Sequence, residues 1–418
     1  MVAVESGSSL EVHWARRGGI SLAECRLMVT DAPTRPASAR AWPAVLVATA
    51  LMVLMILLRQ ITPIDLLVYR WGGELVLDRQ SLYAPAEGLP FTYPPFAALL
   101  FTPFAVMPVR LAVGVFYVAS SLGLVALVRR AVDRRLSTGV LLGLAVAALA
   151  LEPVWSTYSF GQVNLVIAGV IAADLLRRTE RPWAGVWLGV VAGVKLTPIF
   201  LVAWLVLAGR LRTAAVAVAS AVGTALVGLL VLPADSRAYW IEVLLETDRI
   251  GTPEYQTNQS IKGVVARFVG PDSGLLDPAW FVISLVVGLV AVLAAARLSR
   301  RGHEAAGLSV AAVGMLLASP VSWSHHWVWV VLLAGSLGFT SARREVPVLA
   351  RWSALALAVA MLLEMIWWVP GRYGVELEWN AWQVVVGNVY VWCGLVLLGA
   401  LLPLAARQVM TLTGRAPR

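Results

Sequence analysis

The chain has 418 residues, of which 59% are hydrophobic and only 14% charged, with a mean hydropathy of +0.79. Soluble domains carry about 25% charge, so this composition excludes a soluble globular protein and predicts a polytopic, all-α membrane protein. The net charge of +9 is gathered in short clusters between apolar runs, which points to membrane topology rather than a nucleic-acid partner, and two cysteines, Cys25 and Cys393, imply no disulfide framework.

Residues 1–40 form an arginine-rich tail, read as cytoplasmic. The apolar run 41–58 is too long for a signal-peptide core and no small-residue cleavage site follows it, so it is read as a retained first span. Segment 59–93 carries "IDLLVY" and "FTYPP". Runs at 111–128 and 137–154 flank the cluster "RRAVDRR", and "STYSFGQVN" then precedes a shorter run at 163–176 and the cluster "RRTER". The stretch 184–209 has Lys195 and Pro198 at its middle and "RLR" after it. Both its ends adjoin arginine clusters, so it is predicted to go in and come back as two half-length helices. Beyond it lie 213–232, a segment with "NQSIKG", 279–296 followed by "RLSRR", and 305–318. The loop "SPVSWSHHWVW", 327–340, "ARR", 352–369 and 384–406 complete the chain before a basic tail, 407–418.

Placing every arginine cluster inside gives 12 crossings with both termini cytoplasmic, one transmembrane domain at 41–406, and all compact polar motifs on the outer face of the plasma membrane. Residues 305–340 are too few for two full spans and a loop, since each span needs about 20. The loop "SPVSWSHH" is therefore predicted to sink to about the headgroup level, where irregular backbone needs protein or a water-filled cavity around it. The outer motifs are expected to converge on a polar cavity.

Two readings fit Asp65. It is the first acid after the first span, in apolar surroundings that raise a carboxyl pKa and suit a general base; equally, it precedes an apolar run with Pro63 nearby, as a helix cap would. Lys195, in "GVKLTP", either faces a cavity and an anion such as phosphate or snorkels to the interface. His325 and His326 sit among Trp323, Trp327 and Trp329, which suit an interfacial aromatic belt. Adjacent residues diverge by about 100° on a helix and no other histidine shares this face, so a phosphate contact is preferred to a metal. Gln162, Asn164, Asn258 and Gln259 supply amides for sugar hydroxyls, and Tyr69 and Tyr93 join them as candidate substrate contacts. There is no Asp-x-Asp pair and no Gly-rich nucleotide loop, so no metal or cofactor and no soluble sugar nucleotide is expected.

Taken in order, "IDLLVY", "LPFTYPPFAALLF", "LEPVWSTYSFGQVN", "GVKLTP", "TDRIG", "NQSIKG" and "SPVSWSHHWVW" resemble the actinobacterial polyprenol-phosphate-mannose-dependent α-1,2-mannosyltransferases of the GT-C superfamily. The resemblance implies a GT-C fold and inverting transfer of mannose from polyprenyl-phosphate-mannose to a mannosylated phosphatidylinositol glycolipid. The acceptor would be a lipomannan backbone or a phosphatidylinositol pentamannoside. It also implies that Asp65 is the base, that His325 and His326 lie near the donor phosphate, and that Lys195 matches the family's lysine. The alternative is a lipid or sugar transporter, since 12 spans with both ends inside is also a transporter pattern. Transporters, however, put polar sites near the midplane between repeats, and no repeat is found.

Overall fold

The computed structural model describes residues 41–413 except 60, 85–87, 133–135, 178–180 and 373, so the expected tail at 1–40 lies outside the described residues. The chain divides into two units, Met1–Trp42 and Pro43–Arg418, and apart from Trp42 at the start of the first helix every described element belongs to the second. All regular elements among the described residues are helical; the one strand-like pairing is an isolated antiparallel bridge between Asn258 and Trp323.

Among the described residues, four helices are long and apolar enough to cross a membrane: α1 (Trp42–Arg59), α4 (Val109–Arg130), α10 (Leu211–Val231) and α13 (Leu276–Arg300). Between them lie α2 (Ile64–Leu77), α3 (Pro95–Val106), α5 (Thr138–Ala148), α6 (Glu152–Phe160), α7 (Asn164–Leu175), α8 (Val186–Val194) and α9 (Leu201–Leu207). Next come α11 (Pro233–Ile241), α12 (Ile261–Val269), α14 (Glu304–Ala318), α15 (Val330–Phe339), α16 (Val348–Leu362), α17 (Ala381–Gly387), α18 (Val389–Ala400) and α19 (Leu402–Leu412).

Two runs read as continuous spans are bent instead. α5 and α6 meet at 77°, and α17 and α18 at 72°, so six spans are reached only if each bent pair counts as one. Each break falls at a polar side chain held from elsewhere. Glu152, fully buried, accepts from Ser156 Oγ (2.6 Å), Ser324 Oγ (2.8 Å) and Tyr390 Oη (3.1 Å). Asn388 accepts from the Arg267 guanidinium. A buried polar group without partners is costly, so the backbone turns where those partners are. The run 352–369 likewise ends as an α-helix at Leu362, and Glu364 adopts a left-handed conformation (φ 52°). Helix α19 continues to Leu412, past the expected start of the C-terminal tail.

The stretch around Lys195 does go out and back. Gly185 N donates to Asp174 Oδ2 at the end of α7 (3.0 Å), whereas Lys195 Nζ donates to Asn164 Oδ1 at its beginning (3.0 Å). Arg210 then returns to Leu175 O (3.3 Å), beside Asp174. Arg300, at the end of α13, donates to Leu207 O (2.9 Å) at that same end. The molecule therefore has an arginine-rich end and, opposite it, the end where Asn164 and Lys195 meet.

Two glycines set close approaches that this end depends on. On α4, a Cβ at Gly123 would lie 2.1 Å from Leu165 O, so only glycine lets α7 come this near. Gly161, left-handed at φ 66°, ends α6 against α2, where a Cβ would lie 2.7 Å from Leu66 Cβ. Leu66 follows Asp65 and Gly161 precedes Gln162. The close contact brings these two site segments together.

Candidate active site

A cavity of about 420 Å³ opens at the Lys195 end and is lined by Asp65, Tyr93, Gln162, Lys195, Arg249, Trp323 and His326 among others. Of the ten residues singled out from the sequence, Asp65, Tyr93, Gln162, Lys195 and His326 face this space. The other five stand behind it.

Asp65 lies in the first turn of α2, whose N-cap is Pro63 with no side-chain capping bond, so the helix-cap reading is set aside. The N-terminal end of a helix favours a carboxylate, but burial acts more strongly here. Burial pushes the Asp65 carboxyl up to about 6, while a hydrogen bond from Gln162 and the Lys195 charge pull the other way. The site thus holds an acid poised to exchange protons near neutral pH.

Beside it, Tyr69 Oη donates to Gln162 Oε1 (2.7 Å), and Gln162 Nε2 donates to Tyr93 Oη (3.2 Å). Tyr69 itself is fully buried, stacked on Phe101 with ring centroids 4.4 Å apart. Its hydroxyl orients Gln162 rather than reaching the cavity. Opposite, Lys195 breaks between α8 and the 3-10 helix Thr197–Phe200 in extended backbone (φ −143°, ψ 116°). Its ammonium reaches Asn164 Oδ1 and His326 Nε2 (2.8 Å), while Asn164 Nδ2 donates to His325 O (3.1 Å). An ammonium only donates, so His326 Nε2 accepts and the ring is neutral with its hydrogen on Nδ1. Asn164, buried, links lysine and histidine loop.

The adjacent histidines diverge, as their placement on the 3-10 helix Ser324–Trp329 requires. His326 enters the cavity. His325 packs edge-on against Phe160 (5.1 Å) with Nε2 buried and unpartnered among the described residues. The expected aromatic belt is corrected in the same region. Trp327 and Trp329 are 1% and 3% exposed, inside the bundle, and only Trp323 borders the cavity. Trp327 Nε1 donates to Gln259 O (3.2 Å), a buried partner that an interface would not supply.

Asn258 and Gln259, expected to meet sugar hydroxyls, do not line the cavity. Asn258 Nδ2 donates to Pro253 O (3.0 Å) and Pro320 O (3.3 Å), and its Oδ1 accepts from Ser322 N (3.0 Å). Gln259 Nε2 donates to Gln256 O (2.8 Å) and Gly387 O (2.6 Å). The motif braces the histidine loop from behind, and Glu152 holds the same loop from the other side through Ser324.

Reading the sequence missed Glu152 and Arg249. The signal for Glu152 was an acid inside the apolar stretch 137–154, rare enough to imply a partner. Arg249 lies in "TDRIG", within a polar segment where one arginine gives no signal of its own. Among the described residues, no group of three or more histidine, cysteine or acidic side chains is placed to hold a metal ion.

Residues 91–320 match the profile of Glycosyltransferase family 87. A Mycobacterium tuberculosis protein described as a polyprenol-phosphate-mannose-dependent alpha-(1-2)-phosphatidylinositol mannoside mannosyltransferase is 35% identical over 365 residues, covering 80% of this chain and 83% of its own. A Mycolicibacterium smegmatis protein, described as the corresponding phosphatidylinositol pentamannoside mannosyltransferase, is 34% identical over 399 residues, covering 88% and 94%. The chain belongs to Glycosyltransferase family 87, among the polyprenol-phosphate-mannose-dependent α-1,2-mannosyltransferases.

Proposed function

We propose that the cavity transfers mannose from polyprenyl-phosphate-mannose to a hydroxyl of a mannosylated phosphatidylinositol, forming an α-1,2 linkage with inversion. The observation that carries this reading is one carboxylate, Asp65, sharing a cavity with Lys195, His326 and Arg249. Relatives described with the mannoside and with the pentamannoside acceptor match about equally, so the reading extends to the acceptor class. Family membership sets the transporter alternative aside.

Phosphate leaves as a stable anion, so the site needs no acid beside it, only cations to meet the charge that develops. The acceptor hydroxyl oxygen forms a bond to the mannose anomeric carbon from the face opposite the phosphate. The bond from that carbon to the phosphate oxygen breaks, and its electron pair leaves with the polyprenyl phosphate. The hydroxyl proton passes to Asp65 and then to solvent. One such displacement turns a β-linked donor into an α-linked product, following the stereochemical logic of single-displacement glycosyl transfer. Asn164 and His326 occupy two of the three donors on the Lys195 ammonium, which leaves the third for a phosphate oxygen. Arg249 adds a second cation on the cavity wall, tied to Tyr83 O through Nη2 (3.1 Å).

This reading includes a GT-C architecture of 12 crossings with both termini cytoplasmic and the cavity facing outward. It is supported by the gathering of Arg210 and Arg300 at the end opposite Lys195. The test incubates membranes containing the protein with radiolabelled polyprenyl-phosphate-mannose and mannosylated phosphatidylinositols. The expected product is a labelled glycolipid that releases its label to an α-1,2-specific mannosidase. Labelled product resistant to that enzyme, or no transfer at all, overturns the reading.

A further inference from the structure

The arginine-rich end contains a second concave site. A cavity of about 590 Å³ lies where the 3-10 turn Ser341–Arg344, α16 and α19 approach one another, and Arg343, Arg344, Arg351 and Arg407 all line it. Its one acid, Glu345, is already ion-paired with Arg301. Arg351 Nε is buried with no partner among the described residues. Arg297 stands close by, with Arg301, Arg407 and Arg300 as neighbouring like charges and Glu345 opposing them. Positive charge is therefore concentrated here without an equal number of carboxylates. Like charges this near repel, and a donor left without an acceptor is costly, so the arrangement calls for an anion that the described residues do not supply.

The surroundings say which kind. Val348, Leu349 and Trp352 on α16 are 57%, 57% and 62% exposed, and Leu402 at the start of α19 is 52% exposed. The arginines thus open beside apolar surface on helices flanking the candidate spans, with a tryptophan adjacent to Arg351. A soluble anion has no use for that surface. A phospholipid does: its phosphate meets the guanidinium forks, which bind phosphate oxygens in pairs, while its acyl chains lie along the exposed leucine, valine and tryptophan. Basic pockets between helices at a membrane surface bind anionic headgroups for this reason. We propose that this cavity is a binding site for an anionic phospholipid, separate from the sugar-transfer cavity and independent of the reaction assigned to it.

The experiment uses the full chain purified in detergent and native mass spectrometry. It is titrated with phosphatidylglycerol or with phosphatidylcholine, and phosphatidylglycerol binding is repeated in excess inorganic phosphate. Thermal unfolding is followed in parallel with and without each lipid. The expected result is a retained phosphatidylglycerol adduct at least about 10-fold tighter than the phosphatidylcholine one, because both lipids carry the phosphate but choline adds a positive charge that the arginines repel. It should persist in inorganic phosphate and raise the unfolding temperature. The double substitution Arg351→Gln with Arg407→Gln should lose that preference and the temperature rise. The pair Arg212→Gln with Arg237→Gln, two exposed arginines outside the cavity, should keep both. Equal binding of the two lipids, or loss of the preference in both double variants alike, overturns the site. Full displacement by inorganic phosphate would make it a free-anion site and overturn the lipid assignment.

Discussion

Gln162 with Asn164, and Asn258 with Gln259, present the same functional groups at nearly the same spacing, yet the fold uses them in opposite ways. The first pair works at the cavity. Gln162 faces it between two tyrosines, and Asn164 holds Lys195 and the histidine loop. The second pair is 0% exposed and its bonds go to backbone atoms of neighbouring loops. A short polar motif in an apolar chain shows that buried partners exist. Whether those partners are backbone or substrate depends on which elements pack against it.

Substitutions on the two sides should therefore read out differently. At the cavity the largest effect is expected from Asp65→Asn, which keeps the size of the side chain but cannot take a proton. Turnover should fall about 10²–10⁴-fold while donor binding persists, and near-wild-type turnover of the purified variant would remove Asp65 from the mechanism. Lys195→Met and His326→Ala should each slow transfer about 10–100-fold, as expected for losing one charge-assisted hydrogen bond of about 1.5–3 kcal/mol. Donor dependence of the initial rate checks both. Arg249→Gln should act in the same direction but less, since the arginine already shares its charge with Glu246 at 3.7 Å.

On the bracing side, Asn258→Ala should act on stability. It strands Ser322 N and Pro253 O, each worth about 1–3 kcal/mol when buried and unpaired, while Pro320 O keeps its bond from Ser260 Oγ (3.2 Å). The unfolding temperature should drop, with little change in turnover per folded molecule; a large rate loss at unchanged stability would return Asn258 to the substrate. His325→Ala should show the smallest rate effect, because its side chain packs against Phe160 and only its backbone carbonyl is used by Thr157 and Asn164.

Much of this was legible in the sequence where charge and length constrain the chain. Lys195 at the turn of a hairpin followed from arginines at both ends of a stretch too short for two spans, and the divergence of His325 and His326 followed from helical geometry. What the sequence did not show depends on long-range partners. The bends at Glu152 and Asn388 are set by Ser324, Tyr390 and Arg267, which lie more than 100 residues away. The burial of Trp327 depends on the carbonyl of Gln259. Hydropathy sees Trp327 and Trp329 as interfacial because tryptophan suits both places.

The role proposed for Asp65, as the base of the transfer, is central, and the pH dependence of turnover tests it most directly. A base must be deprotonated to act, and burial places this carboxyl at about 6. As pH is lowered, turnover at saturating donor and acceptor should fall to half near pH 6 and lose about tenfold per unit below it. The residual rate of Asp65→Asn should lack that limb. A wild-type profile that stays flat down to about pH 4.5, well below the range where this carboxyl would titrate, or the same limb in the asparagine variant, would contradict that role.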